Sequence, residues 1–288
     1  MIKLRPGTLS WIESQAFWSE GTVDFILKNE PGQLPYLYLP GFGEDKVRAV
    51  ITTRRGGVSR GCYSSLNLGY HTGDDPDAVT ANRRLVTDAL NIEEDRLITL
   101  NQVHSDRVVV LEREEDLLLK KGSSGDCLIT HLSNVAISIL CADCQAIYLY
   151  DPYNRVIAVA HAGWRGAAAR IAARCVQEMS RIYGSKAADC YAALSPAAGP
   201  CCYEVGEDVY QAIKDAFPET FRDLLEEKGN GKWFFNISQS NCLILQDAGV
   251  LRENISISSF CTICRQDLFF SYRGSHGETG RMAAILIQ

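Results

Sequence analysis

Three apolar runs follow one another with only short polar breaks between them, at residues 135–140, 146–150 and 156–160. Each is too short for an ordinary helix. Each is dense in Val, Ile, Leu, Ala and Tyr, without the alternating polar positions of a half-buried strand. Strands that are apolar on both faces need cover on both sides, so the chain is expected to fold in layers. Cover follows at once in the sequence. Residues 163–183 place Ile171, Cys175, Val176, Met179 and Ile182 at helical spacing, which predicts one long amphipathic helix. Further strands are predicted at 47–53, 107–111, 126–130, 190–194, 255–258 and 282–287. Helices are predicted at 76–90, 207–217 and 237–248, the last ended by Gly249. Residues 1–46 are punctuated by Pro31, Gly32, Pro35, Pro40, Gly41 and Gly43. They read as an extension, or a pair of edge strands, packing on a main domain over 47–288. No repeat, low-complexity tract or clean linker interrupts that domain. A single α/β domain with mixed sheets is expected, and 288 residues suffice for a substantial core.

Charge and thiol content narrow the function. With 29 Lys and Arg against 35 Asp and Glu, the net charge is −6, which offers no broad basic surface for nucleic acid. No run approaches the roughly 18 apolar residues of a membrane span. Residues 1–18 include Glu13, Ser14 and Gln15 and lack a secretory core, so a cytoplasmic location is expected. The 11 cysteines are scattered through a long chain, unlike a secreted disulfide scaffold. They read as free thiols, with Cys175, Cys190 and Cys242 as small buried hydrophobes.

Several segments could carry chemistry. Asn101-Gln102-Val103-His104 precedes a strand, Cys141-Ala142-Asp143-Cys144 links two strands, and His161-Ala162-Gly163-Trp164-Arg165-Gly166 joins a strand to a helix. The Gly163–Gly166 turn with Arg165 could hold an anion such as phosphate. A plain turn with a surface arginine accounts for it as well. His104, Cys144 and His161 form a reasonable zinc set that leaves a fourth position open. Their spacings of 40 and 17 residues declare no local motif, and a buried thiol with two ordinary histidines is the simpler explanation. Two CxxC pairs, Cys141/Cys144 and Cys261/Cys264, admit a four-thiolate site or a redox pair, but neither matches the usual context. Cys201-Cys202 reads most simply as a turn. Among the remaining polar candidates His71, Asp74, Arg83, Asn67, Asp126 and Asp143, each alone fits a surface or turn residue. Arg54, beside two glycines, and Arg281, after Gly280, stand out for anion contact. His131 and His276 look dispensable.

Seven blocks in one order carry a resemblance: Thr52-Thr53-Arg54-Arg55-Gly56-Gly57-Val58-Ser59, Asn67-Leu68-Gly69, Asn101-Gln102-Val103-His104, Ala142-Asp143-Cys144, the segment from His161 to Gly166, the segment from Gly199 to Gly206, and Thr279-Gly280-Arg281-Met282. Together they resemble the YfiH/YlmD family, also called the laccase-domain or polyphenol oxidase family and, in bacteria, peptidoglycan editing factor. The resemblance covers about residues 47–288. It implies an α/β/β/α sandwich and a zinc-dependent purine nucleoside phosphorylase. Such an enzyme converts adenosine, inosine or methylthioadenosine with phosphate to base and ribose 1-phosphate, and deaminates adenosine. It implies His104, Cys144 and His161 as metal ligands and catalytic residues, and the chemistry asks for an acidic proton shuttle, for which Asp143 or Asp126 is the best candidate. Arg54, Asn67, Asp126, Arg165 and Arg281 are implied as substrate or phosphate contacts. Copper is the second choice of metal. Five histidines with no His-x-His pair cannot build the three-copper cluster of a multicopper oxidase. Two other readings stay open: a Cys144–His161 hydrolase editing cell-wall precursors, and a non-enzymatic redox or partner-binding protein. The oligomeric state is not set by the sequence.

Overall fold

The first apolar run becomes a strand of one sheet, and the other two become neighbouring antiparallel strands of a second. In a computed structural model that describes residues 24–42 and 46–288, the strands in chain order are β1 (Ile26–Lys28), β2 (Tyr36–Tyr38), β3 (Arg48–Thr52), β4 (Leu97–Thr99), β5 (Val108–Leu111), β6 (Cys127–Thr130), β7 (Ala136–Cys141), β8 (Gln145–Asp151), β9 (Val156–Ala162), β10 (Tyr191–Leu194), β11 (Glu204–Val205), β12 (Leu225–Gly229), β13 (Lys232–Phe235), β14 (Ile255–Ile257) and β15 (Met282–Ile287). The helices are α1 (Pro76–Leu90), α2 (Glu114–Leu119), α3 (Trp164–Ala168), α4 (Ile171–Tyr183), α5 (Glu207–Ala216), α6 (Phe221–Leu224) and α7 (Ile237–Asp247). One six-stranded mixed sheet runs β1-β2-β3-β15-β7-β4, and the other runs β14-β10-β8-β9-β6-β5.

Strand periodicity assigns each apolar run to two cores at once. On β8, Ala146, Tyr148 and Tyr150 enter the core between the sheets, where they meet Ile137, Ile139 and Ala284. The alternate residues Ile147 and Leu149 face outward against Ile171, Cys175, Met179, Ile244 and Leu245 of α4 and α7. On the far side Val50, Ala136, Ala283 and Ile285 pack against Val86 and Leu90 of α1. The result is the expected α/β/β/α sandwich. Tyr148 is fully buried, and its hydroxyl donates to the Val50 carbonyl at 2.7 Å. That bond ties the two sheets together and satisfies a buried polar group.

The helix α1 runs over the predicted residues. The Asp75 side chain accepts from the Asp77 amide at its start, and Asn91 closes it in the left-handed region. The helix expected over 163–183 is instead two helices. Arg170 adopts φ 57° between them, and its guanidinium pairs with Asp247 of α7 at 2.6 Å. The redirected α4 then lies along the sheet while α3 stays beside the strand ends. A third, small sheet, β11-β13-β12, was not anticipated. Strands β1 and β2 hydrogen-bond onto β3 as the edge of the first sheet. The expectation for residues 1–23 lies outside the described residues. No helix among the described residues is long and apolar enough to cross a membrane.

Candidate metal centre

The site forms where the chain passes from one sheet to the other. His104 lies in the link between β4 and β5, Cys144 in the three-residue link between β7 and β8, and His161 near the end of β9. These crossings bring residues 57 positions apart together. The candidate ligand atoms of His104, Cys144 and His161 all lie within 4.8 Å of one another. The two imidazoles meet edge to face at 4.7 Å between centroids. Both links are strained, with His104 at φ 57° and Asp143 at φ 85°. Non-glycine residues hold such backbone only where the surroundings enforce it.

Those surroundings are visible. Gln102 Nε2 donates to the Leu140 carbonyl at 2.8 Å and its Oε1 accepts from the Leu140 amide at 2.7 Å, fixing the His104 loop to β7. Asp126, fully buried, accepts from the amides of Val103, His104 and Ser105 at 2.7–3.2 Å. It also faces His161 Nδ1 at 2.9 Å. An ionised carboxylate can only accept, so Nδ1 carries the proton and Nε2 is left free as a ligand. Burial opposes the Asp126 charge, but His161 and the Ser105 amide hold its pKa at about 2. Burial likewise opposes charge on His161, yet the Cys144 sulfur and Asp126 outweigh it and push its pKa to about 9. His104 goes the other way: burial first, then His161, lower it. The pair therefore offers one imidazole that is neutral near pH 7 and one that a metal must deprotonate.

Glycine makes room for the set. A methyl on Gly163 would stand 3.0 Å from Cys144 Sγ and 3.4 Å from His104 Nδ1. Two nitrogens and one sulfur suit zinc, and copper less specifically, so the residues fit such an ion with one position open.

The trio opens into a cavity of about 500 Å³, a volume ordinary for sites that enclose a small molecule. Asp143, Arg281, His71, Trp164, Tyr203, Tyr272 and Arg273 line it with the trio. Asp143 accepts from Thr262 Oγ1 and from the Arg273 amide, both at 2.6 Å. Arg281 hydrogen-bonds the Thr279 and Gly280 carbonyls and faces the Tyr272 ring at 5.5 Å.

Not every expected contact reaches the cavity. Asp126 lies behind the ligands, fully buried and saturated, so it orients His161 rather than touching substrate. Asn67 is also fully buried. Its amide donates to Thr72 Oγ1 and Asp74, and its Oδ1 accepts from the Arg281 amide, which makes it a brace for Arg281. Arg54 donates to the Ser64 and Gln266 carbonyls over the Phe270 ring, away from the cavity wall. Arg165 is exposed and stacks over Trp164 at 4.2 Å. It has no hydrogen-bond or ion-pair partner among the described residues. The Gly163–Gly166 segment is not an open anion-binding turn. It enters the short helix α3, with Gly166 buried against the His161 carbonyl. Tyr203, Tyr272 and Arg273 were missed by sequence reasoning. Tyr203 lay inside the Gly199–Gly206 block without being singled out, and no motif marked Tyr272 or Arg273.

Comparison with known proteins agrees with this architecture. A family model described as multi-copper polyphenol oxidoreductase laccase matches residues 48–288. A protein named purine nucleoside phosphorylase YlmD, from Geobacillus stearothermophilus, is 34% identical over 248 residues, covering 83% of this chain and 89% of the relative. An adenosine deaminase from an unknown prokaryotic organism is 35% identical over 240 residues, covering 82% and 91%. The crystal structure of the Bacillus licheniformis hypothetical protein YfiH superposes with a TM-score of 0.84 at 30% identity, covering 91% of this chain and 99% of that one. The chain belongs to the YfiH/YlmD family of laccase-like domains.

Proposed function

We propose that the chain is a zinc-dependent purine nucleoside phosphorylase that also deaminates adenosine. The observation that carries this reading is the His104, Cys144 and His161 trio opening into a cavity walled by aromatic rings and arginines. The names of the relatives support it: several are purine nucleoside phosphorylases and one is an adenosine deaminase. Bound by the trio, Zn²⁺ would supply a Lewis acid with one open coordination position.

The chain's own residues supply the rest. Trp164, Tyr203 and Tyr272 offer faces against which a planar purine can stack. Arg281 and Arg273 at the wall, with Arg165 at the exposed helix start, provide cationic contacts for phosphate. Phosphorolysis forms a bond from a phosphate oxygen to C1′ of the ribose and breaks the bond from C1′ to N9. The electron pair of the broken bond leaves with the purine, which must take up a proton at N7 or N9. Asp143, on the cavity wall beside Cys144, relays that proton from dihydrogen phosphate. Deamination places adenine C6, not C1′, at the reacting position, so the nucleoside must bind in a second orientation.

The test is adenosine incubated with and without phosphate, following adenine and inosine. Adenine should appear only with phosphate. Cys144→Ala should lose the pocket metal and about a hundredfold or more of both activities, at an unchanged circular dichroism spectrum. A metal-free Cys144→Ala protein that phosphorolyses adenosine at the wild-type rate ends the zinc reading. The nearness of Cys144 and His161, whose ligand atoms lie within 4.8 Å, favours one alternative, a thiol hydrolase with His161 as base acting on cell-wall precursors. That reading requires hydrolysis by metal-free protein that thiol alkylation abolishes.

A further inference from the structure

Four more cysteines converge about a second point. Cys201 and Cys202 lie in the turn before β11, and Cys261 and Cys264 in the loop after β14. Their sulfurs all lie within 4.8 Å of one another. Cys264 Sγ is 3.3 Å from Cys202 Sγ and 3.6 Å from Cys201 Sγ, and all four are free thiols. Four sulfurs about a tetrahedral zinc, with Zn–S bonds of about 2.3 Å, stand about 3.8 Å apart. The two shortest separations fall slightly below that value, and every pair lies within 4.8 Å.

Three further observations mark a built site. The two loops are held side by side by backbone: Ala197 bridges Cys261, and the Thr262 amide donates to the Ala197 carbonyl at 2.9 Å. Glycine again permits the approach, since a methyl on Gly199 would stand 3.1 Å from Cys261 Cβ and 3.3 Å from the sulfurs of Cys201 and Cys261. The Gly199 amide donates to the Cys261 sulfur at 3.2 Å, and the neighbouring backbone amides of Ile263 and Cys264 favour its thiolate. Four thiolates around a divalent ion carry surplus negative charge, and donated N–H groups offset it. The spacing Cys261-x-x-Cys264 is that of half a structural zinc site. Cys141, which the same spacing could have paired with Cys144, is buried in β7, and burial raises its thiol well above the ordinary range.

We propose that Cys201, Cys202, Cys261 and Cys264 bind a second zinc ion, structural in role, that clamps the loop after β10 to the loop after β14. An all-cysteine tetrahedral set leaves no open position, which is the mark of a structural rather than catalytic site. The clamp lies directly behind the cavity. Tyr203 follows Cys202 and lines the cavity. Thr262, between the CxxC cysteines, holds Asp143 at 2.6 Å. The ion would therefore fix one aromatic wall and the partner of Asp143 together. The inference does not depend on which molecule the cavity binds.

The experiment isolates the second site by disabling the first. Wild-type protein and Cys144→Ala are produced with zinc and purified reduced and free of chelator, and metal is counted per chain by elemental analysis. Two ions are expected in wild type and one in Cys144→Ala. X-ray absorption of the Cys144→Ala protein should then show a sulfur-only shell at about 2.3 Å. Cys202→Ser/Cys264→Ser should lose one ion from the wild-type count and several degrees of thermal midpoint. A Cys144→Ala protein with no ion, or with a nitrogen- or oxygen-containing shell, overturns the proposal. Because the decisive spectrum is taken with all four cysteines intact, misfolding of the double variant does not blunt it.

Discussion

The two cysteine clusters of this chain differ in donor set, surroundings and access. The first mixes two imidazoles with one thiolate and faces a cavity of about 500 Å³. The second is all sulfur, sits in a pair of turns and opens to solvent at Cys201 and Cys264. A metal site with three protein ligands is suited to chemistry, while one with four is suited to holding structure. The supports differ as well. A buried carboxylate, Asp126, fixes the imidazole of the first, whereas the Gly199 backbone amide donates to the sulfur of Cys261 in the second. What they share is a glycine, Gly163 or Gly199, whose missing side chain lets the donors close up.

The largest separation between the two should come from Asp126→Asn. An asparagine turns one carboxylate oxygen into an NH₂ group that faces either the amides of Val103 and Ser105 or the amide of His104 and the His161 ring. Donor would meet donor, and His161 would lose its orienting charge. Metal affinity of the cavity site should fall about 10- to 100-fold in a chelator competition, with the four-cysteine site unmoved. The pH dependence follows from His161. Its pKa of about 9 in the metal-free chain means that zinc must displace a proton at neutral pH. Apparent affinity should climb with pH and lose this component above about 9. The sign for metal-free stability is opposite. A pKa raised above the usual 6.5 contributes stability that is full below 6.5 and lost as pH rises through 9. Equal affinities of wild type and Asp126→Asn across that range would show that the carboxylate does not support the ligand.

A smaller, crossed effect should come from the glycines. Gly163→Ala pushes a methyl against Cys144 and His104, and Gly199→Ala pushes one against Cys261 and Cys201. Each is an overpacking cost of about 1–3 kcal/mol, roughly a tenfold or greater loss of affinity at the neighbouring site. Each variant should keep the other ion. A variant that loses both, or neither, would mean that the sites are coupled or that the glycines serve the backbone only.

The first cluster was partly legible in the sequence and the second was not, for a physical reason. His104, Cys144 and His161 fall at strand ends, which apolar runs betray, and strand ends gather at one edge of a sandwich. The cysteines at 201, 202, 261 and 264 sit in turns whose approach is set by tertiary backbone bonds such as that from Thr262 to Ala197. No periodicity records that. The same limit explains the small third sheet. The sequence Gly229-Asn230-Gly231 is a hairpin signal, with Asn230 at φ 54° and Gly231 at φ 68°. Its flanks, Glu226-Glu227-Lys228, are exposed and lack strand character. The broken helix at Arg170 escaped notice because neither Gly nor Pro marks it. Asp126 and Asn67 were recognisable as polar candidates, but their roles beneath the cavity depend on burial, which residue type does not reveal.

The smallest effect expected is that of Arg165, and it tests whether the cavity mouth contributes beyond the metal centre. Its guanidinium is exposed, stacked on Trp164, and without an ion-pair partner among the described residues. An exposed charge of this kind contributes about 1 kcal/mol or less to holding an anion. Arg165→Gln should therefore raise the phosphate KM by about threefold to fivefold, with a smaller change in kcat, and both metal sites should stay filled. Salt offers a second reading of the same contact. Screening weakens exposed pairs, so added sodium chloride should raise the wild-type phosphate KM more steeply than that of the variant. If the two respond alike, the phosphate contact belongs to Arg273 and Arg281 on the cavity wall, and the helix start at Arg165 only packs against Trp164.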